Sequence, residues 1–257
     1  MPNTILVDTK ESVLTITLNR PQRLNAWTHE MSTEMYDTIS EANSDPAVGA
    51  IVITGEGRGF CAGADIKDNF AARLEGKEQS SRGNWIELVR SSKPLIAAVN
   101  GPCIGVGATM ILAMDIIIAS QNAKFAMAFV KMGVTPELAS SHFLPKRVGW
   151  GKAHEMCLTG RMYSGKEAFD IGLADQLVEP EELLPKAQEL ASEIAANPSP
   201  HLRWVKQLLT ENESEHDINE VFKREGVVLG QAYESAEHKE AVAAFIEKRA
   251  PVFRRKI

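Results

Sequence analysis

Three short runs with almost no polar residue constrain this chain more than any other feature: 50–54 (AIVIT), 95–99 (LIAAV) and 116–119 (IIIA). A strand without polar alternation must be covered on both faces, which is the condition of a parallel sheet layered with helices. Between the last two runs lies GVGATMILAM, read as a short apolar helix that begins at glycines. Upstream, residues 12–19 (SVLTITLN) alternate, with Leu14, Ile16 and Leu18 on one side and Thr15 and Thr17 on the other, so a half-buried strand is expected. Thr28 is placed to cap a helix whose inner face carries Met31, Met35, Ile39 and Ala42. Strand and helix signals alternate, and the expected class is an α/β core.

The later part is helical. Ser164 and Glu167 have the spacing of a capping box, with Gly172 as a stop. A helix over 184–196 follows Pro180 and Glu182 and ends at Asn197-Pro198. Asp217 with Glu220 suggests another capping box, and Ser235 another N-cap. A boundary near residue 197 divides a core over 1–197 from a helical appendage over 198–257, too small to own a large core.

Composition narrows the function. With 257 residues, 44% hydrophobic and 24% charged, the chain suits one large domain or one with an appendage, and it is not disordered. A net charge of −6 gives no overall attraction to nucleic acid, so an anionic ligand must be met by local basic groups or helix N-termini. Cys61, Cys103 and Cys157 are too few and too irregular for a disulfide framework or a zinc site, which points to a reduced, cytoplasmic protein without metal. The N-terminus lacks a basic region followed by an apolar run, and no uninterrupted apolar stretch reaches the ~18 residues of a membrane span.

Three segments carry candidate chemistry. GEGRGFCAGADI (55–66) places Gly55, Gly57, Gly59 and Gly63 directly after a buried strand, where glycine lets the backbone approach a ligand; an ordinary tight turn reads equally well. NGPCIGVG (100–107) follows a buried strand and opens a helix, where unpaired amides point outward with the helix dipole behind them. Two such loops at adjacent strand ends can aim two N–H groups at one oxygen; the alternative is that Gly105 and Gly107 serve only tight helix–sheet packing. FAMAFVKMGVTPE (125–137) sets one carboxylate, Glu137, in an otherwise apolar stretch, as a functional acid or as a solvated helix start.

These segments stand in the order and spacing of one family. NRPQRLNA (19–26), FCAGADI (60–66), KPLIAAVNG (93–101), the stretch from Asp115 to Glu137, LTGRMYSGKEAFDIGLADQLV and the closing EKRAPVF resemble the crotonase superfamily, the enoyl-CoA hydratase/isomerase family, over the whole chain. The resemblance implies a spiral of ββα repeats with a helical C-terminal region that builds a trimer or a dimer of trimers. It implies an acyl-CoA thioester as substrate, with no separate cofactor. The thioester oxygen would sit between two backbone N–H groups, carried across by position to Cys61 and Val106. Ala62, Gly63, Ala64, Asp65 and Ile66 would line the adenine pocket, and Arg23, Leu24 and Ala26 would lie along the pantetheine and phosphates. Lys248 would join Arg23 as a phosphate partner, and Gly105, Phe129 and Pro136 complete the substrate-binding set.

The departures from the family are equally informative. Hydratases position water with two glutamates; here those positions hold Thr109 and Phe129. Glu137 stands where the peroxisomal-type Δ3,Δ2-enoyl-CoA isomerases carry their acid/base glutamate and the 4-chlorobenzoyl-CoA dehalogenases an aspartate. An isomerase needs a single carboxylate to move a proton from C2 to C4, and an apolar wall such as Phe129 would raise its pKa toward neutrality. The leading expectation is Δ3,Δ2-enoyl-CoA isomerisation. The alternatives are hydration or thioester hydrolysis through Glu137, and a non-catalytic acyl-CoA-binding scaffold. His29, His142 and His154 are read as structural or surface residues.

Overall fold

The computed structural model describes residues 4–67 and 83–253. Its elements in chain order are β1 (Ile5–Lys10), β2 (Val13–Leu18), α1 (His29–Ser44), β3 (Ala50–Gly55), α2 (Trp85–Ser91), β4 (Leu95–Val99), β5 (Pro102–Ile104), α3 (Val106–Leu112), β6 (Ile116–Ser120) and β7 (Lys124–Ala126). There follow α4 (Ser140–Val148), α5 (Trp150–Thr159), β8 (Tyr163–Ser164), α6 (Gly165–Asp170), β9 (Gln176–Val178), α7 (Leu183–Ala195), α8 (Ser199–Asn212), α9 (Ile218–Glu234) and α10 (Ala236–Ile246).

The large sheet has six strands in the order β1-β2-β3-β4-β6-β9, parallel except for the β1–β2 pair. The three apolar runs are its inner strands β3, β4 and β6. One face packs on α1, α2 and α3 in the main core; the other meets Leu183, Ala187, Ala191 and Ala195 of α7. That second layer corrects the reading of β2 as half-buried. Val13 packs in the α7 cluster, and Thr15 is buried while its Oγ1 accepts from Gln188 Nε2 of α7 at 3.3 Å. Alternation at the sequence level therefore marks two differently filled interfaces rather than one wet face. Thr54, the lone hydroxyl in β3, donates to the Ala98 carbonyl at 2.9 Å, so its burial leaves no unmet polar group.

α1 forms as expected: the Thr28 hydroxyl accepts from Met31 N, and Met31, Met35, Ile39 and Ala42 are the buried residues. The capping box of Ser164 and Glu167 is present in both directions. That of Asp217 and Glu220 is half formed: Asp217 accepts from Asn219 N, while the Glu220 carboxylate is held by Lys223 at 2.6 Å. Ser235 caps α10 by accepting from His238 N.

A smaller sheet positions the site. It has the order β5-β7-β8, and Cys61 extends it by an isolated parallel bridge to Cys103. Cys61, Cys103, Phe125 and Tyr163 thus stand side by side in one row, each at most 1% exposed. The chain coils so that β3, β4 and β6 each run from the large sheet into one rung of the small one, which is the expected spiral of strand–strand–helix turns.

The C-terminal helices differ in how they are held. α8 is docked by Lys206, whose ammonium reaches Asp115 at 2.7 Å and Ser92 Oγ at 3.2 Å; Asp115 also accepts from Leu95 N and pairs with Arg90. α9 has no buried residue among its described positions, and Ile218, Phe222 and Tyr233 are exposed on it.

Candidate active site

Two loops leave adjacent rungs of the small sheet and repeat one spacing, Cys61-Ala62-Gly63-Ala64 and Cys103-Ile104-Gly105-Val106. Gly63 has φ of 108° and Gly105 φ of 55°, values that a side chain would strain, so both loops turn at the residue two beyond the rung. The turns touch: a Cβ built on Gly105 would lie 3.9 Å from Gly63 Cα. Gly107 is needed for a different reason. A Cβ there would stand 2.3 Å from the Cys61 carbonyl, so only glycine lets α3 start this close to the first loop.

Two asparagines hold the first loop from outside. Asn25, fully buried with φ of 55°, donates from Nδ2 to the Glu56 and Gly59 carbonyls at 3.0 and 2.7 Å and accepts from Arg20 N at 2.8 Å. Asn100 donates to the Gly55 and Gly57 carbonyls at 2.8 and 2.9 Å. The Leu24–Trp27 segment closes the group: Ala62 N donates to the Leu24 carbonyl, Trp27 N to that of Gly63, and Asp65 N to that of Trp27. The structure thus brings Leu24, Ala26, Ala62, Gly63, Ala64, Asp65, Gly105 and Val106 into one cluster of three loops.

The amide inventory corrects one expectation. Cys61 N donates to the Pro102 carbonyl at 2.9 Å as part of its rung, so it is committed to the sheet and does not present a free N–H. Its thiol is buried and pushed up to about 12, chiefly by desolvation, and is inert as a nucleophile. The amides of Ala64 and Val106 find no acceptor among the described residues. Each lies three residues past its rung, beyond the touching glycines. The signal for Ala64 was in the sequence: the repeated Cys-x-Gly-x pairs Ala64 with Val106, whereas Cys61 pairs with Cys103.

Other expected site residues are placed as follows. Thr109 is fully buried in α3, and its hydroxyl donates to the Val106 carbonyl at 3.3 Å. Phe129 is buried in the main core, on a short 3-10 helix (Ala128–Met132). Glu137 and Pro136 are exposed in the following loop. Phe129 belongs to the main core, against which Leu138 packs. Leu138 and Ala139, directly after Glu137, have φ of 49° and 52°. Two successive side-chain-bearing residues in the left-handed region are strained, a condition that concentrates at functional sites. α4 then packs on α3.

Asp65 is ion-paired with Arg20 at 3.0 Å, and Ile66 is 63% exposed at the rim. Arg23 is exposed beside the cluster. Lys248 lies beyond α10, exposed, and the three loops join one another without it. His29 and His154 are exposed, and His142 pairs with Glu213 at the surface, its pKa lowered first by desolvation. Among the described residues no helix is long and apolar enough to cross a membrane.

A layered spiral with paired glycine loops at the strand ends is the architecture to which the comparisons give a family. The family model for enoyl-CoA hydratase/isomerase matches residues 8–256, and the chain belongs to this family, within the crotonase superfamily. It is 35% identical over 256 residues to the 1,2-epoxyphenylacetyl-CoA isomerase of Escherichia coli (strain K12), covering 97% of each chain. It is also 35% identical to the crotonyl-CoA hydratase of Syntrophomonas wolfei, again over 97% of both. Among solved structures, an enoyl-CoA hydratase from Polaromonas sp. JS666 superposes with a TM-score of 0.89 at 28% identity, covering 97% of this chain and 99% of that one.

Proposed function

We propose that this protein is a Δ3,Δ2-enoyl-CoA isomerase in which the amides of Ala64 and Val106 hold the thioester oxygen and Glu137 carries the proton. The observation that supports it most is the pair of uncommitted amides at register-equivalent positions of two touching loops. A thioester oxygen between them gains negative charge as C2 loses its proton, and preorganised donors of this kind are worth roughly 3–4 kcal/mol each. Glu137 removes the C2 proton and returns it at C4, so the double bond moves from C3=C4 to C2=C3 with no net change in atoms.

The single carboxylate favours isomerisation over hydration. Thr109 spends its hydroxyl on the Val106 carbonyl and Phe129 is an apolar core residue, so neither supplies the second acid that would activate water. We also read the protein as a trimer or dimer of trimers, since Phe222 at 77% and Phe245 at 85% exposure leave α9 and α10 with uncovered apolar faces. Its three cysteines are free thiols, which suits a reducing cytoplasm.

The test is a panel of 3-enoyl- and 2-enoyl-CoA thioesters, with isomerised, hydrated and hydrolysed products measured separately, on the wild type and Glu137→Gln. Isomerised product from 3-enoyl-CoA, lost in Glu137→Gln by at least the 10²–10⁴-fold of about one general acid–base step, supports the reading. Hydration alone would replace it with a hydratase, and binding without turnover with a scaffold.

A further inference from the structure

Ser140 is the first residue of α4, 2% exposed, and its hydroxyl has no hydrogen-bond partner among the described residues. A buried hydroxyl left unsatisfied is costly and rare, and one retained in a native fold calls for a partner that the free chain does not hold. Its place narrows the partner. The Ser140 amide donates to the Glu137 carbonyl at 2.9 Å, closing a turn through the strained Leu138 and Ala139. That turn doubles the chain back, so residue 137 stands at the N-terminal end of α4, where a carboxylate is favoured by the dipole. α4 in turn packs on α3, the helix that begins at the Val106 amide.

We propose that Ser140 is a positioning residue for Glu137: when an acyl-CoA occupies the site, the Glu137 carboxylate turns inward and accepts a hydrogen bond from Ser140 Oγ. This rests on the reading of Glu137 as the proton carrier. The bound acyl chain excludes water, and desolvation alone would push the carboxyl toward its neutral form, useless as a base. A hydroxyl donated to the charged form opposes that shift and fixes the carboxylate's direction toward C2 and C4. The unmet hydroxyl and the left-handed pair are then two strained features held ready for the liganded state.

The experiment compares Ser140→Ala and Ser140→Thr with the wild type and Glu137→Gln, reading kcat, acyl-CoA dissociation constant, melting temperature and the pH dependence of kcat. For Ser140→Ala we expect kcat to fall about tenfold to a hundredfold, the size of a lost hydrogen bond to a charged group. Its dissociation constant should hold, its melting temperature hold or rise, and the acid limb of kcat move to higher pH. Ser140→Thr keeps the hydroxyl and should restore most of kcat and the wild-type limb. A Ser140→Ala protein with unchanged kcat and pH profile overturns the proposal, and so does one that loses acyl-CoA binding together with melting temperature. If Glu137→Gln itself keeps near-full rates, the reading of Glu137 fails instead, whatever Ser140 does.

Discussion

Ala64 and Val106 occupy equivalent positions in successive turns of the spiral, each three residues beyond a rung of the small sheet, at Cys61 and Cys103, and each just past a left-handed glycine. The rungs use their own amides to build the sheet, as Cys61 N does on the Pro102 carbonyl. Amides left over for a ligand would therefore come from beyond the turn, where the ladder has ended.

Close approach of the two loops depends on Gly107. Gly107→Ala places a methyl 2.3 Å from the Cys61 carbonyl and 2.8 Å from its Cβ, so the loops must move apart. Overpacking of this kind costs about 1–3 kcal/mol, visible in urea denaturation. Turnover of acyl-CoA is expected to fall further than stability, because the displaced helix carries the Val106 amide. Full activity in this variant would mean that the loop separation is not critical.

Much of this was legible in advance. Inner strands β3, β4 and β6, the Thr28 cap with its buried face and the Ser164–Glu167 box all rest on local chemistry that sequence carries directly. What was not legible depends on where the chain returns. The cover of α7 over Val13 and Thr15 comes from residues far along the chain. The commitment of Cys61 N follows from pairing with a strand some forty positions later. The exposure of Glu137 is not revealed by the apolar run that precedes it.

Asp115 joins β4, α2 and α8, shared by Lys206, Arg90 and Leu95 N. Lys206 is 5% exposed and its pKa is lowered, first by desolvation. Asp115→Ala strands that ammonium without its counter-ion, and loss of one partner of a buried pair costs roughly 3–5 kcal/mol. Calorimetry should show a large fall in melting temperature. A change within experimental error would mean that the other contacts of α8, among them Arg90 on Thr210 and Lys206 on Ser92, hold it without Asp115.

Acid should loosen the α5–α6 region. Lys152, Tyr163 and Arg161 hold the Glu155 carboxyl down at about 2, and the Ser164 amide with Arg161 holds Glu167 at about 2, against an ordinary 4.5. Both pKa values are depressed in the fold, so their stabilisation is complete above the ordinary value and is lost as pH falls through the folded one. Melting temperature should thus be steady from pH 7 to about 5 and decline between about 5 and 2. Glu155→Gln should flatten that decline, and an unaltered acid slope would remove Glu155 from the cause.

Apolar exposure on α9 and α10 sets the assembly expectation. Phe222→Glu and Phe245→Glu place charges on faces with 77% and 85% exposed phenylalanines. Light scattering should shift from a trimer or hexamer toward monomer in the double variant. A wild-type protein that is a stable monomer at micromolar concentration would contradict the assembly outright.

The most direct test of the site is a crystal structure with a non-isomerisable acyl-CoA. The thioester oxygen should lie about 3 Å from both Ala64 N and Val106 N, with Cys61 N still on the Pro102 carbonyl and the Glu137 carboxylate facing C2. An oxygen held by any other pair of amides, or left pointing to solvent while the acyl chain is seated, would contradict the account.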